Sequence, residues 1–134
     1  MSDPRHIFVY GSLLSRIAHA QGERLRREAR LVGEARLAGR LYRVSWYPGF
    51  VTAGGATEFV YGEVYELANA ATLDWLDEYE GITRGATSVT EPEEYARRVM
   101  TVTLDAGGTI DCWVYVYLRD IGGLVPVLGG VWHE

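Results

Sequence analysis

Residues 69–81, Asn69-Ala70-Ala71-Thr72-Leu73-Asp74-Trp75-Leu76-Asp77-Glu78-Tyr79-Glu80-Gly81, put a carboxylate beside an apolar stripe. Read as a helix advancing ~100° per residue, Leu73 and Leu76 share a face. Glu80 falls between them in angle, while Asp74 and Glu78 point to solvent. Asn69 can cap the start and Gly81 suits the stop. A carboxylate that loses water has its charged form disfavoured and its pKa raised. That is what a general base near neutral pH requires. The competing reading is a frayed last turn with Glu80 pointing outward, and the segment alone leaves both open.

A second chemical feature lies near the start. Tyr10-Gly11-Ser12-Leu13 follows the apolar run His6-Ile7-Phe8-Val9. A glycine there lets successive backbone N–H groups converge on an anion. The plainer reading is a strand-end turn whose Ser12 caps the next helix. The loop is neither a dinucleotide fingerprint, which needs three spaced glycines, nor a P-loop, which needs lysine.

Other chemistries fit less well. All 13 basic residues are arginine, so a lysine Schiff base is excluded. His6, His19 and His133 show no metal-ligand spacing, and neither metal nor cofactor is expected. Ser12 has no local histidine base. Asp77 and Glu80 share a helix face, but two carboxylates on one turn cannot flank a sugar bond from opposite sides. Cys112, the single cysteine, forms no internal disulfide and reads as a small buried hydrophobe in a strand. Tyr95, Trp113, Tyr115 and Tyr117 read mainly as packing aromatics, with a hydroxyl reaching a ligand as the exception.

The elements that must position these residues are mostly strands. His6 to Tyr10 reads as a buried first strand and residues 16–28 as a weak helix. Leu31 to Val44 reads as two short strands broken at Gly33 and Gly39. Tyr47-Pro48-Gly49 is a turn signal. Glu58 to Leu67 alternates as a strand with Gly62 as a bulge. Tyr95 to Leu104 and Thr109 to Leu118 form a hairpin around Ala106-Gly107-Gly108. Its second strand puts Cys112, Val114 and Val116 on one face and Trp113, Tyr115 and Tyr117 on the other. Residues 119–134 carry no regular pattern. Many strands with one or two helices make one α+β domain over residues 1–134, a small curled sheet or barrel.

Size and charge agree. At 134 residues the chain holds one core, and a net charge of −5 gives no general attraction to nucleic acid or anionic membrane. Six arginines between Arg24 and Arg40 are interspersed with Glu28 and Glu34, as on a solvated face. No apolar run approaches the ~20 residues of a membrane span, and no signal-peptide core precedes the first strand. The expected location is the cytoplasm. The oligomeric state is not legible.

Six strings in order resemble the γ-glutamylcyclotransferase-like superfamily, which includes the AIG2-like proteins. They are Val9-Tyr10-Gly11-Ser12-Leu13, Tyr47-Pro48-Gly49, Gly62-Glu63-Val64-Tyr65-Glu66-Leu67, Leu76-Asp77-Glu78-Tyr79-Glu80-Gly81, Tyr95-Ala96-Arg97-Arg98-Val99 and Trp113-Val114-Tyr115-Val116-Tyr117. The resemblance implies a small mixed β-barrel with flanking short helices. It implies a pocket closed by the loop of Tyr10, Gly11, Ser12 and Leu13, with Tyr95 and Tyr117 along its wall. It also selects Glu80, rather than Asp77 or Glu78, as the acid/base. The tail departs from the Gly-Asp-Trp common in the family, reading Gly129-Gly130-Val131-Trp132.

The implied reaction is cofactor-independent cyclisation of a γ-glutamyl amine or γ-glutamyl amino acid to 5-oxoproline, releasing the amine. Such a substrate carries its own nucleophile, so the protein need only fold it, hold it and move protons. Two alternatives keep the fold: another reaction on a small metabolite in the same pocket, or a non-catalytic AIG2-like binding module.

Overall fold

In the computed structural model, residues 4–17, 19–52, 58–80 and 95–133 are described. Along the chain run β1 (His6–Val9), α1 (Ala20–Glu28), β2 (Ala29–Ala38), β3 (Arg40–Arg43), β4 (Pro48–Val51) and β5 (Phe59–Leu67). They are followed by α2 (Thr72–Tyr79), β6 (Tyr95–Leu104), β7 (Thr109–Tyr117), β8 (Val125–Pro126) and a 3-10 turn (Leu128–Gly130). The strands pair in the order β1-β5-β2-β6-β7, and β7 returns to β1 in parallel, closing a five-stranded barrel. A side sheet, β4-β3-β8, extends from β7. Closure removes the exposed edges that an open sheet of this length would leave.

β1 is apolar on both faces because both are covered: Ile7, Phe8 and Val9 are all buried. In β7, Cys112, Val114 and Val116 are buried on one face, and Tyr115 and Tyr117 are buried on the other. The hairpin register pairs Leu104 with the turn at Gly108 and runs back to Tyr95 opposite Tyr117.

Three sequence expectations need correcting. Gly33 does not break a strand; β2 runs through it, with the register slipping between Leu31 and Gly33 against β5. The bulge is therefore on β2 and not at Gly62. Gly62 is required for proximity, since a Cβ there would lie 2.1 Å from the Val9 carbonyl oxygen. The break at Gly39 does occur, at φ +153. Pro48 and Gly49 belong to β4, and the turn before them is closed by Val44 N–H donating to the Tyr47 carbonyl at 3.1 Å.

The helices also differ in their ends. α1 begins at Ala20, with His19 as N-cap, after irregular turns at residues 11–17. Ser12 therefore caps no helix. α2 begins at Thr72, but Asn69 still organises its approach: its side chain accepts from Ala71 N–H at 2.9 Å. Gly81, expected as the stop, and the polar loop through residue 94 lie outside the described residues.

The patternless tail is a structural closure. β8 pairs with β3, and Trp132, 1% exposed, heads the largest fully buried side chains. The Arg43 guanidinium lies 4.3 Å from its ring centroid, and Arg16 donates to its carbonyl. Arg24, Arg30 and Arg40 each pair with a glutamate. Among the described residues no helix is long and apolar enough to cross a membrane.

Candidate active site

The site grows from a split in the barrel wall. The same edge of β7 pairs with β1 at Trp113 and with β4 at Val116. Between these two points the chain leaves β1 at Tyr10, whose hydroxyl fills the gap. It donates to the Tyr115 carbonyl at 2.6 Å and accepts from Phe50 N–H at 3.2 Å. The phenol thus stands in for a missing ladder bond. Burial pushes its pKa well above the usual tyrosine value, the Glu80 charge adds to that, and the Phe50 N–H opposes it. Tyr10 stays protonated and holds the loop at its root.

The loop then crosses β4. A Cβ on Gly11 would lie 2.9 Å from the Pro48 ring, so only glycine allows this approach. Leu14 N–H donates to the Gly11 carbonyl at 3.0 Å, and Leu13 is buried. Tyr95 converges on the same point, donating its hydroxyl to the Pro48 carbonyl at 2.6 Å. Its ring meets Tyr117 edge-on at 5.5 Å, and Tyr117 lies so close to Gly49 that a Cβ there would be 2.8 Å from its Cγ. Gly11, Tyr95 and Tyr117, distant in sequence, are therefore gathered around Pro48 and Gly49.

Glu80 follows α2 directly, with its N–H bonded to the Leu76 carbonyl at 2.9 Å. It is half-buried, on the face that carries Leu73, Leu76 and Asp77, whereas Asp74 and Glu78 are exposed. The outward-frayed alternative is not what forms. The Glu80 charge adds to the burial that raises the phenols of Tyr10, Tyr79 and Tyr115. Phenols at the loop root, at the end of α2 and on β7 therefore all feel the charge of this one carboxylate. Ser12 Oγ lies 2.7 Å from the hydroxyl of Tyr79, the residue before Glu80.

Sequence reasoning missed what holds α2 in place. Asp77 is 3% exposed and is gripped by Arg97 through Nε at 2.8 Å and Nη2 at 3.2 Å. The Tyr115 hydroxyl donates to the same carboxylate at 2.7 Å. Arg97 and Tyr115 sit directly opposite one another in the hairpin, and Trp113 stacks 4.2 Å beneath the guanidinium. The signal was available, because counting back from the Gly107-Gly108 turn pairs Arg97 with Tyr115 on one face. At its start, α2 is tied to α1 by Glu28, which accepts from Thr72 at 2.8 Å and from the Trp75 indole at 3.0 Å. Both ends of α2 are fastened, and Glu80 is aimed by that fastening.

With this geometry established, residues 7–134 match the family model described as gamma-glutamyl cyclotransferase, AIG2-like. The chain belongs to that family. It is 37% identical over 130 residues to the gamma-glutamylcyclotransferase family protein YtfP of Escherichia coli K12, covering 96% of each chain. The solution structure of Escherichia coli ytfP superimposes with a TM-score of 0.65 at 34% identity, covering 95% of each chain. The crystal structure of a mouse AIG2-like protein gives a TM-score of 0.72 at 22% identity, over 98% of this chain and 90% of that one. The mouse protein shares the fold. A separate groove of about 420 Å³ between β3, β5 and the tail contains none of the site residues expected from the cyclotransferase family.

Proposed function

We propose that this protein cyclises a γ-glutamyl amine or γ-glutamyl amino acid to 5-oxoproline, with Glu80 as the general acid/base. The observation that carries the reading is the placement of Glu80, half-buried at the end of a fastened helix, where its charge reaches Tyr10, Tyr79 and Tyr115. Family membership supports the reaction class.

The substrate α-ammonium yields a proton to Glu80, and the freed amine attacks the γ-carbonyl carbon. A C–N bond forms, closing a five-membered ring, and the oxygen takes up negative charge. Backbone N–H groups of Gly11 and Ser12 hold that oxygen or the α-carboxylate. Collapse breaks the bond to the departing nitrogen, which receives its protons from Glu80. The two surplus hydrogens of the ammonium end on the released amine, so the protein is unchanged. Tyr95 and Tyr117 supply the wall that keeps the substrate folded for attack, an entropic contribution that can be large.

The test is to incubate the purified protein with a panel of γ-glutamyl amino acids and γ-glutamyl amines and measure 5-oxoproline. Product from at least one member is expected. Absence of product across the panel contradicts the reading and leaves another small-metabolite reaction or a binding role.

A further inference from the structure

Of the four tryptophans in the chain, three are covered by an arginine. The guanidinium of Arg24 lies 4.3 Å from the Trp75 ring centroid, that of Arg97 4.2 Å from Trp113 and that of Arg43 4.3 Å from Trp132. Each of those cations is also anchored to an oxygen, on Glu28, on Asp77 and on the His133 carbonyl respectively. Trp46 is the fourth. Among the described residues its ring contacts are with His19 and Tyr47, and it is 60% exposed. An indole is a large apolar surface that a folded chain ordinarily covers.

The exposed ring is nevertheless held in place. Val44 and Ser45 N–H both donate to the Tyr47 carbonyl, at 3.1 and 3.2 Å, closing the turn that carries it. The indole stacks on the His19 imidazole with centroids 6.0 Å apart and planes 8° from parallel, and Tyr47 meets it edge-on at 5.1 Å. Two series of ring contacts meet at this turn. Through His19, Trp46 reaches Tyr79, which lies edge-on to the imidazole at 5.5 Å and precedes Glu80. Through Tyr47 it reaches Tyr95 at 6.3 Å, and Tyr95 in turn meets Tyr117. Tyr95 and Tyr117 are buried, so Trp46 is the open end of both the wall and the approach to the base.

We propose that Trp46 is a specificity residue, a stacking shelf for the departing side of the substrate that favours leaving amines bearing a flat apolar ring. This rests on the cyclisation reading, in which the departing nitrogen takes its proton from Glu80. Whatever that nitrogen carries lies beyond Glu80, and Tyr79, His19 and Trp46 are the rings that run outward from there. An aromatic pair is favourable beyond the area it buries. A cation is also drawn to an indole face, but the three cations on indoles in this chain each have a second anchor. Neither Trp46 nor His19 pairs with a carboxylate among the described residues. A flat uncharged ring needs no such anchor.

Three amides test this: γ-glutamyl-phenethylamide, γ-glutamyl-ethylamide, which lacks only the phenyl ring, and γ-glutamyl-(2-aminoethyl)amide, which puts an ammonium in its place. Release of 5-oxoproline should show kcat/KM about threefold to tenfold higher for the phenethylamide than for the ethylamide, the worth of one aromatic pair. The gain should appear in KM rather than kcat, because the stack is the same before and during ring closure. Trp46→Ala should abolish the preference and Trp46→Phe should retain it. A preference that survives Trp46→Ala, or a higher kcat/KM for the aminoethylamide than for the phenethylamide, would overturn the proposal. If no amide yields 5-oxoproline, that counts against the cyclisation reading and not against the shelf, and the unconsumed amides then test the shelf by NMR. The Trp46 indole N–H resonance, assigned by its loss in Trp46→Phe, should shift with the phenethylamide and not with the ethylamide. Equal shifts, or none, would overturn the shelf.

Discussion

Arg97 holds Asp77 with two nitrogens, at 2.8 and 3.2 Å, across the interface between the β6–β7 hairpin and α2. The carboxylate is almost wholly out of water, and the Tyr115 hydroxyl also donates to it at 2.7 Å. Burial and the Asp77 carboxylate together push the Tyr115 phenol far above its usual range, so it serves as a fixed donor. Glu80 leaves the helix one turn further on, so the pair that docks α2 also aims the proposed base.

Asp77→Ala removes the carboxylate and leaves a guanidinium and a phenol facing an apolar gap. Breaking a buried pair in this way costs about 3–5 kcal/mol. A urea midpoint lowered at unchanged slope is the expected signature, together with lost turnover at temperatures where the variant remains folded. A change below about 1 kcal/mol would mean that the pair does not anchor the helix.

Glu28 ties the start of α2 to the end of α1, and its bonds from Trp75, then Arg24 and Thr72, hold its pKa below the ordinary carboxylate value. A folded pKa below the unfolded one means that its contribution is present above the unfolded value and fades as pH falls through the folded one. Thermal melts between about pH 5 and pH 2 should therefore show a Glu28-dependent loss of stability on acidification. Glu28→Gln should flatten that limb of the profile and lower the neutral-pH melting temperature. A parallel profile would contradict the linkage.

Trp132 carries the tail. With its ring 1% exposed and covered by Arg43, Trp132→Ala should cost about 3–5 kcal/mol in denaturant unfolding, as for other large-to-small core changes. A loss under about 1 kcal/mol would place the tail outside the cooperative unit.

These cases mark where the sequence is readable. The β6–β7 hairpin follows from period-two alternation and a Gly-Gly turn, so its strands, its two faces and its register could be read locally. The buried side of α2 was equally local, and Glu80 lies on it. Trp132 was not readable, because a lone tryptophan among glycines has no period to betray burial. Asp77 was placed on the right face but not given its partners, since these depend on how a helix docks on a hairpin 20 residues away. Tyr10 was read as part of an anion loop, yet its hydroxyl bridges β7 and β4, a role created only when β7 exchanges one neighbour for another. His19 looked like one of three scattered histidines until α1 was seen to begin beside it.

Glu80 remains the centre of the account, and one comparison tests it most directly: 5-oxoproline formation by the unaltered protein and by Glu80→Gln, both verified as folded. The amide keeps the shape of the side chain but cannot shuttle protons. Product is expected from the former and a loss of about 10²- to 10⁴-fold in kcat for the latter, the usual contribution of a positioned acid/base. Full turnover by Glu80→Gln would contradict it.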